Sequence, residues 1–227
     1  KDDEIIKTTN NKIDLLLKFI GLLDNNECNY TKIGYSYIKD DRLLRYDFWN
    51  NTSKSNILKK HYTVSEYFKV IDKMIGITNT KNDDFKHKIF VAMNRFSMAS
   101  NQIDLSLKIA LYHVTFVHLL SILSAQTRPK ISKDTFVKKI FDKIGLSYDV
   151  LTIQQIVLFN NYRNIAFKGI DSNFEYDEQF FGVLETAIYH IGKLFTKLFE
   201  LNPDEEKSFM DSIRINHLRQ YSDYEEM

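Results

Sequence analysis

Arg163 and Asn164 stand side by side in the stretch Leu158-Phe159-Asn160-Asn161-Tyr162-Arg163-Asn164-Ile165-Ala166-Phe167-Lys168-Gly169. A guanidinium carries a planar fork of donors, while a side-chain amide both donates and accepts. A second cation, Lys168, follows five positions after Arg163, and Gly169 closes the run. Leu158, Tyr162, Ile165 and Phe167 give the stretch an apolar side, which predicts a packed helix. Gly169 fits the position just past its end, where left-handed backbone costs a glycine least. Lys168 in the last turn suits the negative end of the helix dipole. On these grounds alone the group is either a capping and packing arrangement, the commoner use of such residues, or a site.

The elements that must position these residues are helical from about residue 84 onward. The spacing predicts helices over 85–100, 103–125, 135–144, 150–168 and 176–201. The segment 103–125 is the most apolar of them and is expected to be the central core helix. In 150–168, Ile153, Ile156, Val157, Tyr162 and Ile165 are expected to face inward. Pro203-Asp204-Glu205-Glu206 breaks the last long helix and can start another turn. After Asn216 the tail is polar and acidic.

The first eighty residues read differently. A short helix is expected over 13–23 and another over 64–75. Between them, residues 30–38 and 43–49 alternate in part, which fits either a two-stranded β-ribbon turning at Lys39-Asp40-Asp41 or a pair of short helices. The polar run 78–84 is read as a boundary. The expected organisation is an N-terminal accessory unit over 1–80, a helical bundle over 84–201, and a C-terminal turn and polar tail over 202–227. The fold class is mainly α.

Composition narrows the function. The chain has 227 residues, a formal charge of +1 and 44% hydrophobic residues, so a real core is available. Seven glycines and two prolines leave little turn chemistry for an all-β fold. Near-neutral charge argues against coating nucleic acid through bulk charge, although not against a local basic site. The single cysteine, Cys28, gives neither an internal disulfide nor a cysteine-based zinc cluster, and it fits a reducing cytoplasm. The apolar run 103–123 is interrupted by Asp104, Lys108, His113 and His118, and no membrane span is expected. No signal-peptide pattern opens the given sequence. It starts at Lys1 and leaves a longer chain open. No P-loop, dinucleotide glycine pattern, zinc spacing or serine nucleophile motif is present, and neither a cofactor nor a metal is implied.

Arg163-Asn164, with Gly169 in register and this order of helices over roughly residues 85–201, resembles the Apea-like branch of the HEPN superfamily of helical RNases and nucleotide-binding domains. The family's histidine is replaced here by Lys168. The resemblance implies an up-down helical bundle that pairs with a second copy through the motif helix. It implies a metal-independent endoribonuclease acting on single-stranded RNA, in which a ribose 2′-hydroxyl attacks the adjacent phosphorus and leaves a 2′,3′-cyclic phosphate and a 5′-hydroxyl. The family's usual setting is bacterial defence against phage, often as a toxin-like effector beside a sensor or regulatory partner. Carried over by position, Arg163 is the phosphate clamp, Asn164 orients it, and Lys168 stands where a proton shuttle belongs. Tyr162 and Gly169 are structural at the motif. A lysine titrates near 10.4 and is a poor base at neutral pH unless it is desolvated or crowded by cations. The alternative is therefore a catalytically degenerate domain that binds a partner or a nucleotide.

Other polar residues have plainer readings. His113 and His118, five apart, do not share a face well and are expected to be core or interface histidines satisfied by hydrogen bonds. His61, His87 and His217 are expected at the surface. Asp104 and Lys108 form a helical i,i+4 pair. The aromatic cluster of Tyr30, Tyr35, Tyr37, Tyr46, Phe48 and Trp49 is read as the core of a small unit rather than a base-stacking platform.

Overall fold

The computed structural model describes Phe19, the pairs of strand residues 32–39 and 42–49, residues 64–102, 104–125, 129–168 and 178–214, and His217. For 32–39, 42–49, 64–68, 167, 168 and 178 it describes the backbone alone. The expected helix over 13–23 and the loop residue Gly169 lie outside these bounds, Phe19 excepted. The fold is mainly α. Strands β1 (Lys32–Lys39) and β2 (Arg42–Trp49) pair antiparallel, with Lys39 opposite Arg42 and Lys32 opposite Trp49. Of the two readings of this region, the ribbon is the one observed.

Seven helices follow among the described residues: α1 (Val64–Thr80), α2 (Asp83–Ser100), α3 (Leu105–Ser124), α4 (Asp134–Ile144), α5 (Val150–Lys168), α6 (Glu178–Leu198) and α7 (Pro203–Ile213). The expected boundaries hold within a few residues, except that α1 runs on to Thr80, into what reads as a polar linker. The reason is local. Thr78 Oγ1 donates to the Met74 carbonyl at 2.7 Å and Thr80 Oγ1 to that of Ile77 at 2.7 Å, so both hydroxyls are satisfied inside the helix.

Side-chain oxygens start several of the helices. Asn82 Oδ1 accepts from the Phe85 amide at 2.9 Å at the start of α2. Asp104 Oδ1 accepts from the amides of Ser106 and Leu107 at the start of α3. Asn202 and Glu205 form a reciprocal capping box on α7, with proline at its first turn. Asp104, read from sequence as an ion-pair partner of Lys108, is thus a helix cap.

Helix α3 is the spine and packs against α2, α4, α5 and α6. It is the one helix among the described residues long and apolar enough to cross a membrane, and half of that stretch is buried within the bundle. Lys108 and His113, which interrupt its apolar run in the sequence, are both buried. Burial holds the Lys108 ammonium below the ordinary lysine range.

The core is continuous from α1 to α7. Val70, Ile71 and Met74 of α1 and Phe209 and Ile213 of α7 join Phe96, Phe116, Phe159, Ile188 and Phe195 in one cluster. Phe96 stands edge-on to Tyr112 at 5.6 Å and to Phe195 at 5.7 Å. Lys73 of α1 reaches the capping carboxylate Glu205 of α7 at 2.8 Å. Helices α6 and α7 come close at Gly192, where an added Cβ would stand 2.9 Å from Met210 Sδ.

His217 corrects the sequence expectation. Placed at the surface on the strength of its polar neighbours, it is 1% exposed. Its ring stacks on Phe96 at 4.0 Å, and the Tyr112 hydroxyl lies 3.3 Å from its Nδ1.

Candidate functional site

Helix α5 carries the motif, and its register decides where Arg163 goes. Asp149 opens the helix by accepting from the Thr152 amide at 2.6 Å, and this bond holds its carboxyl below the usual range. Ile153, Ile156 and Phe159 are fully buried. Arg163 lies seven residues after Ile156, about two turns on, so it continues the same face beyond the point where the core ends. Tyr162 sits on the neighbouring face. Its ring stands edge-on to Phe180 of α6 at 5.3 Å, and its hydroxyl donates to Gln179 Oε1 at 3.4 Å.

Arg163 and Asn164 touch. Arg163 Nη1 donates to Asn164 Oδ1 at 2.9 Å, which fixes one branch of the fork. Arg163 borders an open cleft of about 800 Å³ between α2, α3 and α5. Lys88 and Arg95 of α2 line it as well, with Asp84 paired to Lys88 at its rim. Helix α3 contributes His113 and His118.

The two histidines are held differently. His113 is 7% exposed, leans on Phe159 at 5.5 Å, and donates through Nε2 to Asn160 Oδ1 at 3.1 Å. Burial, against the help of Asn160 and with the repulsion of Arg163, pulls its pKa down to about 4. It is neutral at physiological pH. His118 is half-buried, and its Nδ1 accepts from Arg95 Nη1 at 3.2 Å. Burial and then the charges of Arg95, Lys88 and His87 hold it below the ordinary histidine range.

The sequence reading of these histidines as hydrogen-bonded is met. They do not share a face, as their spacing predicts, yet both line the cleft. Five residues on a helix turn through about 140°. Between the two rings run Val114 and Val117, which also line the cleft, so the histidines stand on its two shoulders. Lys88, Arg95, His113 and His118 are thus cleft residues that sequence reasoning did not assign to the site. A signal existed in the polar residues at positions 113, 118 and 121 of an otherwise apolar helix.

Lys168 is the last residue of α5, and its side chain lies outside the described residues, as does Gly169. Among the described residues no three His, Cys, Asp or Glu side chains gather as a metal-ligand set. The arrangement can hold an anion with planar oxygens, because two guanidinium forks and an ammonium face one concavity. The half-buried imidazole of His118 beside them can move protons. The chain matches no protein-family model, no curated protein and no solved structure.

Proposed function

We propose that the cleft between α2, α3 and α5 binds the phosphodiester backbone of single-stranded RNA, and that the chain is a HEPN-type, metal-independent endoribonuclease. The observation that carries this reading is the convergence of Arg163, already oriented by Asn164, with Arg95, Lys88 and two histidines on one concavity. Near-neutral overall charge is no obstacle, because the cations are gathered where they are used. The HEPN resemblance adds the substrate class, a setting in antiphage defence inside the cytoplasm, and a homodimer through α5, where Val150 and Leu151 stand exposed. A second reading is favoured by one residue. Lys168 in place of the motif histidine suits a domain that has kept phosphate binding, for RNA or a nucleotide, and has lost cleavage.

The test is binding and cleavage of an end-labelled single-stranded RNA in EDTA. Arg163→Ala removes a charge-assisted contact and should weaken binding about ten- to hundredfold. It should also lower the slope of log affinity against log salt by about one. Equal affinity and equal slope for Arg163→Ala and the parent would remove the basis of the reading. Binding without cleavage by the parent, with cleavage gained in Lys168→His, would select the second reading.

A further inference from the structure

The bond between Arg95 and His118 has a direction. A guanidinium has only hydrogens to give, so His118 Nδ1 presents its lone pair and the ring proton sits on Nε2. A basic nitrogen therefore stands 3.2 Å from a phosphate-binding fork, in the same cleft as Arg163. His118 is half-buried where His113 is almost closed off, so a substrate in the cleft reaches one ring and not the other. Nε2 of His113 is spent on Asn160.

We propose that His118, oriented by Arg95, is the proton acceptor of this cleft and takes the part that the motif helix leaves to Lys168. The inference rests on the reading of the cleft as an RNA phosphate site. It places the acid–base group on α3, inside one copy of the chain. The step runs as an internal transesterification. Arg163 and Arg95 take the phosphate oxygens of a 3′–5′ linkage. As Arg95 turns its N–H to the phosphate, Nδ1 of His118 is released to accept the proton of the adjacent ribose 2′-hydroxyl. The O2′–P bond forms and the P–O5′ bond breaks. The leaving 5′-oxygen takes a proton from water in the open cleft, and His118 returns its own to solvent. The charged and titratable groups that face His118 are Asp84, His87, Lys88 and Arg95 on α2, His113 on its own helix and Arg163 on α5. Together they carry an excess of positive charge, which favours the uncharged ring.

The experiment compares the parent, His118→Gln, His118→Ala and Arg163→Ala on labelled single-stranded RNA in EDTA. Binding and cyclic-phosphate product are scored separately, and thermal unfolding confirms that each variant folds. His118→Gln should bind within about twofold of the parent and cleave at least about a hundredfold more slowly. Added imidazole should restore part of the cleavage by His118→Ala and none of it in Arg163→Ala. Cleavage by His118→Gln at the parental rate overturns the assignment, and so does a parent that binds through Arg163 without cleaving. A parent that does not bind RNA at all removes the phosphate reading itself.

Discussion

The two clefts that flank α5 are opposite in charge. The one between α2, α3 and α5 has Lys88, Arg95 and Arg163 against the single carboxylate Asp84. The one between α5, α6 and α7 has a volume of about 520 Å³ and sets Asp149, Glu185 and Asp211 against the single cation Arg214. Each also has buried histidine in its wall, His113 in the first and His190 in the second. A chain with a formal charge of +1 has thus gathered opposite charges in two clefts on either side of one helix. Net charge sums over both faces and reports neither, so a local test of binding is the informative one.

The two clefts also rest on different supports. The cationic one leans on an aromatic wall, where Phe159 stands edge-on to Phe116 at 6.2 Å and touches the ring of His113. The acidic one is closed by α7, whose start is held by Asn202 and Glu205. The largest expected effect comes from removing the first support. Phe159→Ala deletes a fully buried ring and should cost about 3–5 kcal/mol, read as a fall in the urea midpoint. A loss below about 1 kcal/mol would mean that the wall is not what holds the cationic cleft.

Acid should act next. His113 titrates near 4 in the folded chain and near 6.5 when unfolded. Between those values the unfolded state takes up a proton that the folded state refuses, so stability falls as pH drops from about 6.5 to about 4. That shift amounts to about 3 kcal/mol. His190, lowered chiefly by burial while its Nδ1 donates to the Thr186 carbonyl at 2.8 Å, acts in the same direction. Urea midpoints at pH 7.5, 5 and 4 for the parent, His113→Gln and His190→Gln would apportion the acid loss between these two histidines. An unchanged pH slope in His113→Gln would show that His113 contributes none of it.

The smallest effect sharpens the contrast. Asn202→Ala removes the side-chain cap of α7 and should cost about 1 kcal/mol. Because, of these two clefts, α7 borders only the acidic one, amide exchange should quicken in α7 while the RNA affinity proposed for the cationic one stays at the parental value. A loss of RNA affinity in this variant would show that the two clefts are coupled through α5.

Much of the scaffold is legible in the sequence because helices announce themselves locally. The recurrence of Ile153, Ile156, Val157, Tyr162 and Ile165 at intervals of one to five residues suits α5, and the apolar run 105–124 suits α3. The pair Arg163 and Asn164 is legible too, since adjacent residues near a helix end can bond each other without help. The cleft is not legible. Arg95 and His118 meet from helices 23 positions apart, and His113 and Asn160 from helices 47 apart, so no local pattern joins them. His217 fails for the converse reason. Its polar neighbours suggest solvent, while its actual surroundings, Phe96 and Tyr112, come from more than a hundred positions earlier.

Gly192 has a consequence for the acidic cleft that reaches beyond packing. The hydrogen that takes the place of a side chain there is what lets the end of Met210 of α7 come so close to α6. A methyl group at position 192 would meet the far end of that methionine, which can swing aside, and Met210 also lines the acidic cleft. One of the two glycines of α6 therefore acts as a spacer, and leaves room for a side chain that forms part of the wall of the neighbouring cavity.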